Sequence, residues 1–331
     1  HYDHRWATND SEGDRALTDA ERADPARIVR PRYWYPADEV RRRFGGKWKR
    51  SWALVWRDIT NATNERTFVS AVIPSLAVPN TAKVMFGSEH VVPFFPALIG
   101  NLGSFAFDFA ARQKIGGTHM ASFITEQLPV LPLETFKRGT AWSTLPLLAW
   151  IFPRVLELCY TAWDLEPFSR DIGYGGSPFR WDVERRFQLR CELDATFFHL
   201  YGLNREDSAY VMDTFPIVRK NDEKSHGEYR TKRVILETYD ALAKAAQTGM
   251  PYRTPLDPPP AAPGANHGVF ANDGIPRDYA EALRTGLLFT LIRQSGDAGI
   301  SQSALSLALL WLEDSKHAAV GLQGTALADF E

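Results

Sequence analysis

Two polar stretches of the sequence carry side chains that could read the base edges of DNA. In the major groove, arginine pairs bidentately with guanine and asparagine or glutamine with adenine, each good pair discriminating by about 1–3 kcal/mol. Beside the second stretch, Gly116 and Gly117 allow a ligand to approach the backbone closely. The stretches 57–66 and 112–119 therefore predict base contacts from eight residues: Asn61, Asn64, Arg66, Arg112, Gln113, Lys114, Thr118 and His119.

An internal role is the alternative for part of this set. Arg57, Asp58, Asn64 and Arg66 could instead form a polar network that holds neighbouring strands together. We favour that internal role for Arg57 and Asp58, because they are adjacent to each other and flanked by apolar residues that we expect to be buried. We favour DNA contact for the side chains nearest the glycine turn, which are Arg112, Gln113, Lys114 and His119.

A basic segment, residues 22–57, includes the start of the first stretch. It holds eleven arginine and lysine residues against three acidic ones, a local formal charge of +8, and seven aromatic residues are interleaved with them. Positive charge attracts the phosphate backbone, and aromatic rings can stack on bases. The alternative is a solvated charged face over an ordinary aromatic core. The predicted phosphate contacts are Arg41, Arg42, Arg43, Lys47, Lys49 and Arg50.

Hydrophobic patterns predict an α+β fold, in which a mixed α/β unit precedes a mainly helical region. Short apolar runs predict strands at 52–56, 67–73 and 84–86, the first of them buried on both faces. Helical periodicity predicts one long helix from Phe95 to Lys114, ended by the two glycines. Periodicity and capping residues predict further helices at Asp182–Leu200, Asn204–Phe215, Glu228–Gln247, Tyr279–Gln294 and Gln302–Leu312.

Composition is that of a globular chain, with 44% hydrophobic and 24% charged residues among 331. The net charge of only -2 means that a DNA-binding chain of this kind must concentrate its basic residues locally. Two isolated cysteines and the lack of a long apolar run lead us to expect a cytoplasmic protein without a membrane partner. The expected regions are a basic connecting segment (1–45), a recognition domain (46–180), a helical domain (181–250), a proline-rich linker (251–275) and a small helical terminal element (276–331).

Several blocks within residues 1–250 form a characteristic set, which is 2–8, 57–67, 101–108 with 112–119, 126–132, 201–203, 214–218 and 227–232. As a set, these blocks resemble large bacterial adenine-specific DNA methyltransferases of single-chain restriction-modification systems and phage-defence clusters. In that family the first block follows the catalytic domain, so we expect this chain to be a piece of a longer protein. The resemblance covers most of residues 1–250 and implies a target-recognition domain followed by a helical region.

The resemblance implies sequence-specific recognition of double-stranded DNA for a methyltransferase that uses S-adenosylmethionine. The implied partners are double-stranded DNA, the missing methyltransferase domain and other defence-system subunits. The catalytic motifs of the family are missing from this chain. The glycines of 100–103 lie within a helical pattern, and the segment 257–260 lacks the aromatic residue that should follow two prolines. We therefore expect no cofactor, no metal site and no methylation by this chain alone.

Two other functions stay open at this point. A protein-interaction scaffold of a defence complex would use the helical half to bind other subunits. A metal-dependent nuclease fragment would use Asp213, Asp222 and Lys224, whose order loosely matches the carboxylates and lysine of such enzymes. A solvated turn between two helices explains the same three residues, and we favour that explanation.

Overall fold

The computed structural model describes residues 2–268, and this part of the chain has the predicted α+β fold. The helices predicted at 279–294 and 302–312 lie outside the described residues. The strands are β1 (Ala7–Asp10), β2 (Gly13–Ala16), β3 (Trp52–Arg57), β4 (Ser70–Pro74) and β5 (Ala82–Met85). The α-helices are α1 (Asp19–Ala23), α2 (Ala37–Phe44), α3 (Phe95–Gly103), α4 (Phe105–Lys114), α5 (Ser122–Thr125), α6 (Leu133–Phe136), α7 (Leu147–Cys159), α8 (Glu166–Asp171), α9 (Val183–Leu200), α10 (Arg205–Asp213), α11 (Pro216–His226) and α12 (Arg230–Thr248).

Strand β3 is the centre of a three-stranded antiparallel sheet with the order β4-β3-β5. Its residues 52–56 are buried, as the apolar run predicts. At its first residue, the ring of Trp52 lies 5.0 Å from each of the rings of Trp48, Phe95 and Phe168. These aromatic contacts join the sheet to the helices that cover it and leave only the last residue of β3 exposed.

The second predicted strand begins later than the sequence suggests. Strand β4 starts at Ser70, whereas the apolar run starts at Thr67. The N–H groups of Thr67 and Phe68 donate to the carboxylate of Asp108, at 3.0 and 2.6 Å. Because a side chain from α4 accepts these hydrogen bonds, this part of the backbone does not pair with β3.

The prediction of a single helix from Phe95 to Lys114 is wrong. The structure has two helices, α3 and α4, and the helical chain bends by 63° between Gly103 and Phe105. Ser104 has an extended backbone, and its hydroxyl accepts the N–H of Phe107, so it caps α4. The carboxylate of Asp194 accepts the N–H of Phe105 at 2.7 Å. Within residues 2–268 no single helix is long and apolar enough to cross a membrane, and one bent pair (Glu89–Gly103 with Phe105–Lys114) satisfies length and composition alone.

Helix α7 has no counterpart among the predicted elements. All of its residues are buried, so it lacks the apolar and polar faces by which a surface helix is identified. Its two charged residues are paired with side chains of α9. Arg154 contacts Glu192 at 2.8 Å, and Glu157 accepts hydrogen bonds from Arg185. These buried pairs join α7 to α9 across the core.

The helices of the second half agree with the sequence except around Pro216. Asp182 caps α9 by accepting the N–H of Arg185 at 2.9 Å, and Gly249 ends α12 with a φ of +70° that favours glycine. Residues 216–226 were expected to form a solvated turn, but they form α11. Pro216 occupies the first turn of that helix, where a missing N–H costs no hydrogen bond.

The described part of the proline-rich segment after α12, residues 251–268, contains turns and bends and lies against the helical core. The hydroxyl groups of Tyr252 and Thr254 donate to Glu192, at 2.9 and 2.6 Å. The N–H of Ala261 donates to Glu157 at 2.8 Å, and Ala261 is buried. The same buried carboxylates that join α7 to α9 therefore also bind this segment.

Candidate nucleic-acid interface

The two stretches predicted to contact bases lie side by side at the end of β3. Residues 58–64 follow β3, residues 116–119 follow α4, and we call them the paired loops. They are joined by an isolated antiparallel bridge. The N–H of Thr60 donates to the carbonyl of Thr118 at 2.9 Å. Tertiary structure thus brings together two segments that are more than 50 residues apart in the chain.

Asp58 is the buried anchor of the paired loops. Its carbonyl accepts the N–H of Met120 at 2.7 Å, and its carboxylate lies 2.9 Å from Nδ1 of His119. Nζ of Lys83, on the neighbouring strand β5, lies 4.0 Å from the same carboxylate. The imidazole of His119 remains 60% exposed. The carboxylate therefore orients a histidine ring at the surface of the loops.

Four of the predicted base-contacting residues lie at the exposed edge of the paired loops or next to it. Gln113, Lys114 and Thr118 are exposed, and Nζ of Lys114 is 3.4 Å from the side-chain oxygen of Gln127. Asn61 is half-buried, and its side-chain oxygen accepts hydrogen bonds within its own turn, at 2.7 and 2.9 Å. The side-chain nitrogen of Asn61 makes no hydrogen bond among the described residues, so it is the donor that this turn can offer to a ligand.

Arg66 is in the interior, which corrects its assignment to a base edge. Its guanidinium donates to the carboxylate of Asp108 at 2.9 Å and to the carbonyl of Gly103 at 2.5 Å. The guanidinium also lies 4.1 Å from the centre of the Phe105 ring. Asp108 is fully buried and accepts the N–H groups of the two residues after Arg66 as well. Arg66 therefore stabilises the fold, which is the alternative that the sequence left open.

Arg112 is likewise held by contacts within the fold. Its guanidinium donates to the carbonyls of Asn64, Glu65 and Thr214, at 2.5, 2.9 and 2.8 Å. It lies 3.9 Å from the centre of the Phe215 ring. Partial burial lowers the pKa of Arg112, and the charge of the nearby Asp108 opposes that shift. The contacts of Arg112 join the first paired loop to the turn between α10 and α11.

Asn64 lies between the exposed residues of the paired loops and the interior arginines. It is half-buried, and its amide nitrogen donates to the hydroxyl of Thr60 at 3.2 Å, inside the loop. Its carbonyl accepts a hydrogen bond from Arg112. The backbone and the side chain of Asn64 therefore both stabilise the loop.

The predicted phosphate-contacting residues lie near the other end of β3. Arg41, Arg42 and Arg43 are on α2, with side chains that are 68–73% exposed. Arg42 and Arg43 both contact Glu39, within 2.8 Å, and Arg41 contacts Asp38. Such exposed pairs are worth little, about 0–1 kcal/mol, so they can be exchanged for phosphate contacts. Lys47 and Lys49 follow the helix and are exposed.

Arg50 differs from the other cations of the basic segment. It contacts Asp171 of α8 at 2.7 Å and also Glu89, and its side chain is only 15% exposed. These acidic residues come from distant parts of the sequence, so the local charge of +8 overstates the free positive charge. The predicted role of Arg50 as a phosphate contact is therefore corrected: Arg50 joins the start of the sheet to α8.

Two cations beside the paired loops, one exposed and one half-buried, were missed or misplaced by the sequence. Arg57 was expected to be internal, but it is the exposed last residue of β3, beyond the helices that cover the rest of the strand. Lys83 was not singled out, although it pairs with Trp56 in the register of β3 and β5. The strand predicted at 84–86 began one residue after Lys83, whereas β5 begins at Ala82.

The carboxylates of the nuclease pattern have structural contacts. Asp213 pairs with Lys232 at 2.7 Å, and Asp222 accepts the N–H of Thr231 at 2.6 Å, in the first turn of α12. Among the described residues there is no group of three or more side chains that could hold a metal ion.

The chain was compared with protein-family models, with curated proteins and with solved structures, and none of the three comparisons found a match.

Proposed function

We propose that this chain recognises a sequence in double-stranded DNA through the paired loops. The pairing of residues 58–64 with 116–119 is the observation that carries the proposal. Gln113, Lys114 and His119 are exposed on the second of these segments or just before it, and the half-buried Asn61 lies on the first. Side-chain amides, imidazoles and amines that donate hydrogen bonds in fixed directions are the groups that discriminate base edges.

Support also comes from the rigidity of the loops. Arg112 donates to two carbonyls at the end of the first loop, and Asp58 holds the second through His119 and the backbone of Met120. A recognition surface that is already ordered loses less conformational entropy when it binds. The interior arginines therefore contribute to recognition by holding the loops, not by contacting bases.

The exposed cations of α2 would contact the phosphate backbone. Trp48, which follows α2, donates a hydrogen bond to the carbonyl of Trp52 at the start of β3, whereas the paired loops follow the end of β3. At about 3.3 Å per residue, the strand separates the two surfaces by roughly 20 Å. One DNA turn is about 34 Å, so one duplex is long enough to contact both.

The wider role follows from the family that the sequence resembles. We propose that this recognition serves an S-adenosylmethionine-dependent adenine methyltransferase of a restriction-modification or phage-defence system. The methyltransferase domain, and not this chain, would bind the cofactor and the extruded adenine. Other subunits of the defence system are further proposed partners.

Selection from a random duplex library tests the proposal. The chain is mixed with the library at low salt, bound duplexes are sequenced, and enriched sites are confirmed by fluorescence anisotropy. We expect enrichment of a short motif, and Gln113→Ala should relax the preference at one position by about 5- to 150-fold. Gln247→Ala, which changes an exposed glutamine on α12, is the matched control and should leave the motif unchanged. A bound pool without any enriched motif would contradict the proposal.

A further inference from the structure

Three consecutive aromatic residues in the basic segment are exposed. We call residues 31–36 the aromatic strap. Tyr33 is 77% exposed, Trp34 is 82% exposed and Tyr35 is 51% exposed. By contrast, the tryptophans later in the segment are buried in the core. The structure therefore separates seven interleaved aromatic residues into a structural group and an exposed group.

The backbone of the strap is held at both ends. Pro31 and Pro36 fix their own φ and favour extended backbone at the residues before them, Arg30 and Tyr35. Immediately before the strap, the N–H of Arg30 donates to the hydroxyl of Thr8 and its carbonyl accepts the N–H of Asn9, both at 3.0 Å. Pro36 is the N-terminal cap position of α2. The exposed rings are thus presented by a constrained segment between the β1–β2 hairpin and a helix.

Arginines flank these rings in the sequence. Residues 27–43 contain six arginines, five of which make ion pairs with Asp14, Glu21, Asp38 or Glu39 at partly exposed positions. Such pairs contribute little to stability and can be exchanged for phosphate contacts. The guanidinium of Arg32 lies 5.4 Å from the centre of the Tyr33 ring, and Arg43 is close enough to the Tyr35 hydroxyl to interact with it. A protein-binding patch is usually depleted in charge at its centre, whereas arginines interleaved with aromatic rings match a polyanion with flat, apolar bases.

We propose that the aromatic strap binds unpaired nucleotides, stacking Trp34 and its neighbouring tyrosines on bases while the surrounding arginines contact phosphates. In a duplex the faces of all but the terminal bases are covered by their neighbours, so away from the ends these rings can stack only on a single strand or on an opened part of a duplex. This site is separate from the paired loops and does not depend on the proposed sequence recognition. It adds a second form of nucleic acid to the ligands of this chain.

Fluorescence anisotropy with a labelled oligodeoxythymidine of about 16 nucleotides tests this inference. Replacing Trp34 with alanine should weaken binding by about 5- to 150-fold, because one stacked base is worth about 1–3 kcal/mol. Trp34→Phe should keep most of the affinity, since phenylalanine also stacks. Tyr210→Ala, an exposed tyrosine on α10, is the matched control and should bind as the unchanged chain does.

The variants are also tested on blunt duplex DNA and on vesicles of phosphatidylglycerol and phosphatidylcholine in equal parts. Oligodeoxythymidine binding that is the same in Trp34→Ala and the unchanged chain would overturn the inference. Vesicle binding that is lost in Trp34→Ala, without binding to the oligonucleotide, would also overturn it. If Trp34→Ala retains the duplex motif but loses the single strand, the two sites are distinct. If no duplex motif exists but the strap binds the oligonucleotide, only the proposed function fails.

Discussion

The interior arginine network and the paired loops come from the same two stretches of sequence, but they differ in what surrounds their polar groups. In the network, Arg66 and Arg112 face a buried carboxylate, backbone carbonyls and phenylalanine rings. In the loops, Gln113 and Lys114 face solvent, and His119 is held on one edge only. Similar residue types therefore serve stability in one place and are available to a ligand in the other.

The difference shows that an arginine is structural where the carboxylate or carbonyl it contacts is buried, and is available to a ligand where no buried acceptor holds it. A buried carboxylate or carbonyl must be satisfied, and it binds the nearest guanidinium permanently. Among residues 2–268, the side chain of Arg57, at the end of β3, has only a long contact of 3.5 Å to the hydroxyl of Thr60 and stays at the surface. The variants below test this comparison, in order of decreasing expected effect.

Removal of Asp108 should produce the largest effect. Asp108→Ala leaves Arg66 without its carboxylate and leaves two backbone N–H groups unsatisfied in the core. We expect the free energy of unfolding to fall by about 3–5 kcal/mol, measured by urea denaturation. Asp38→Ala, which removes an exposed carboxylate that pairs with Arg41, is the control and should change it by less than about 1 kcal/mol. Equal effects of the two variants would refute the assignment of the network as structural.

Asp194 is a second buried carboxylate, and it should make stability depend on pH. Burial raises the pKa of Asp194 from its ordinary value of 3.8 to about 6, although the charge of Arg66 opposes the shift. The folded chain thus keeps a proton that the unfolded chain loses near pH 4. That contribution to stability is complete below pH 4 and is lost as the pH rises to about 6. The loss is about 3 kcal/mol.

Asp194→Asn tests this dependence, because the side-chain oxygen of asparagine can still accept the N–H of Phe105 but asparagine does not titrate. We expect the variant to lose less stability than the unchanged chain between pH 4 and pH 7, in urea denaturation at each pH. Asp38→Asn serves as the exposed control. Parallel pH profiles for Asp194→Asn and the unchanged chain would show that Asp194 is ionised throughout this range.

Arg112→Met should have an intermediate effect. The change keeps an apolar side chain over Phe215 but removes hydrogen bonds to three carbonyls. We expect a loss of about 2 kcal/mol of stability and faster hydrogen exchange in residues 58–64. Lys114→Ala is the exposed control and should leave both unchanged. Unaltered exchange in Arg112→Met would mean that the loop is rigid without this arginine.

The smallest effect on the fold is expected from the exposed cations of α2. Replacing Arg41, Arg42 and Arg43 with alanine should leave stability within about 1 kcal/mol, because their pairs with Asp38 and Glu39 are exposed. Binding to all duplexes should weaken alike. The dependence of log K on log salt should flatten by about one unit for each lost phosphate contact. A changed sequence preference with an unchanged salt slope would reverse the roles of α2 and the paired loops.

Local patterns were sufficient to predict the secondary structure where a short apolar run or a capping residue marks the element. The apolar run at β3 predicted a buried strand, and the Asp182 cap and Gly249 predicted the ends of α9 and α12. Helix α7 escaped prediction because it is buried on all sides and has no polar face. The long helix was divided because the Ser104 hydroxyl caps α4 and Asp194, far away in the chain, accepts the N–H of Phe105.

The sequence by itself determined which residue types are available for a polar interface, and it selected the two stretches that form the paired loops. Only the tertiary structure decided which of these side chains face inward. Arg66 and Arg50 look like surface cations in the sequence, but Asp108 and Asp171 reach them from other elements. The physical reason is that the charge of a segment depends on all the groups near it in space. Those neighbours are brought by the fold from parts of the chain that no local pattern connects.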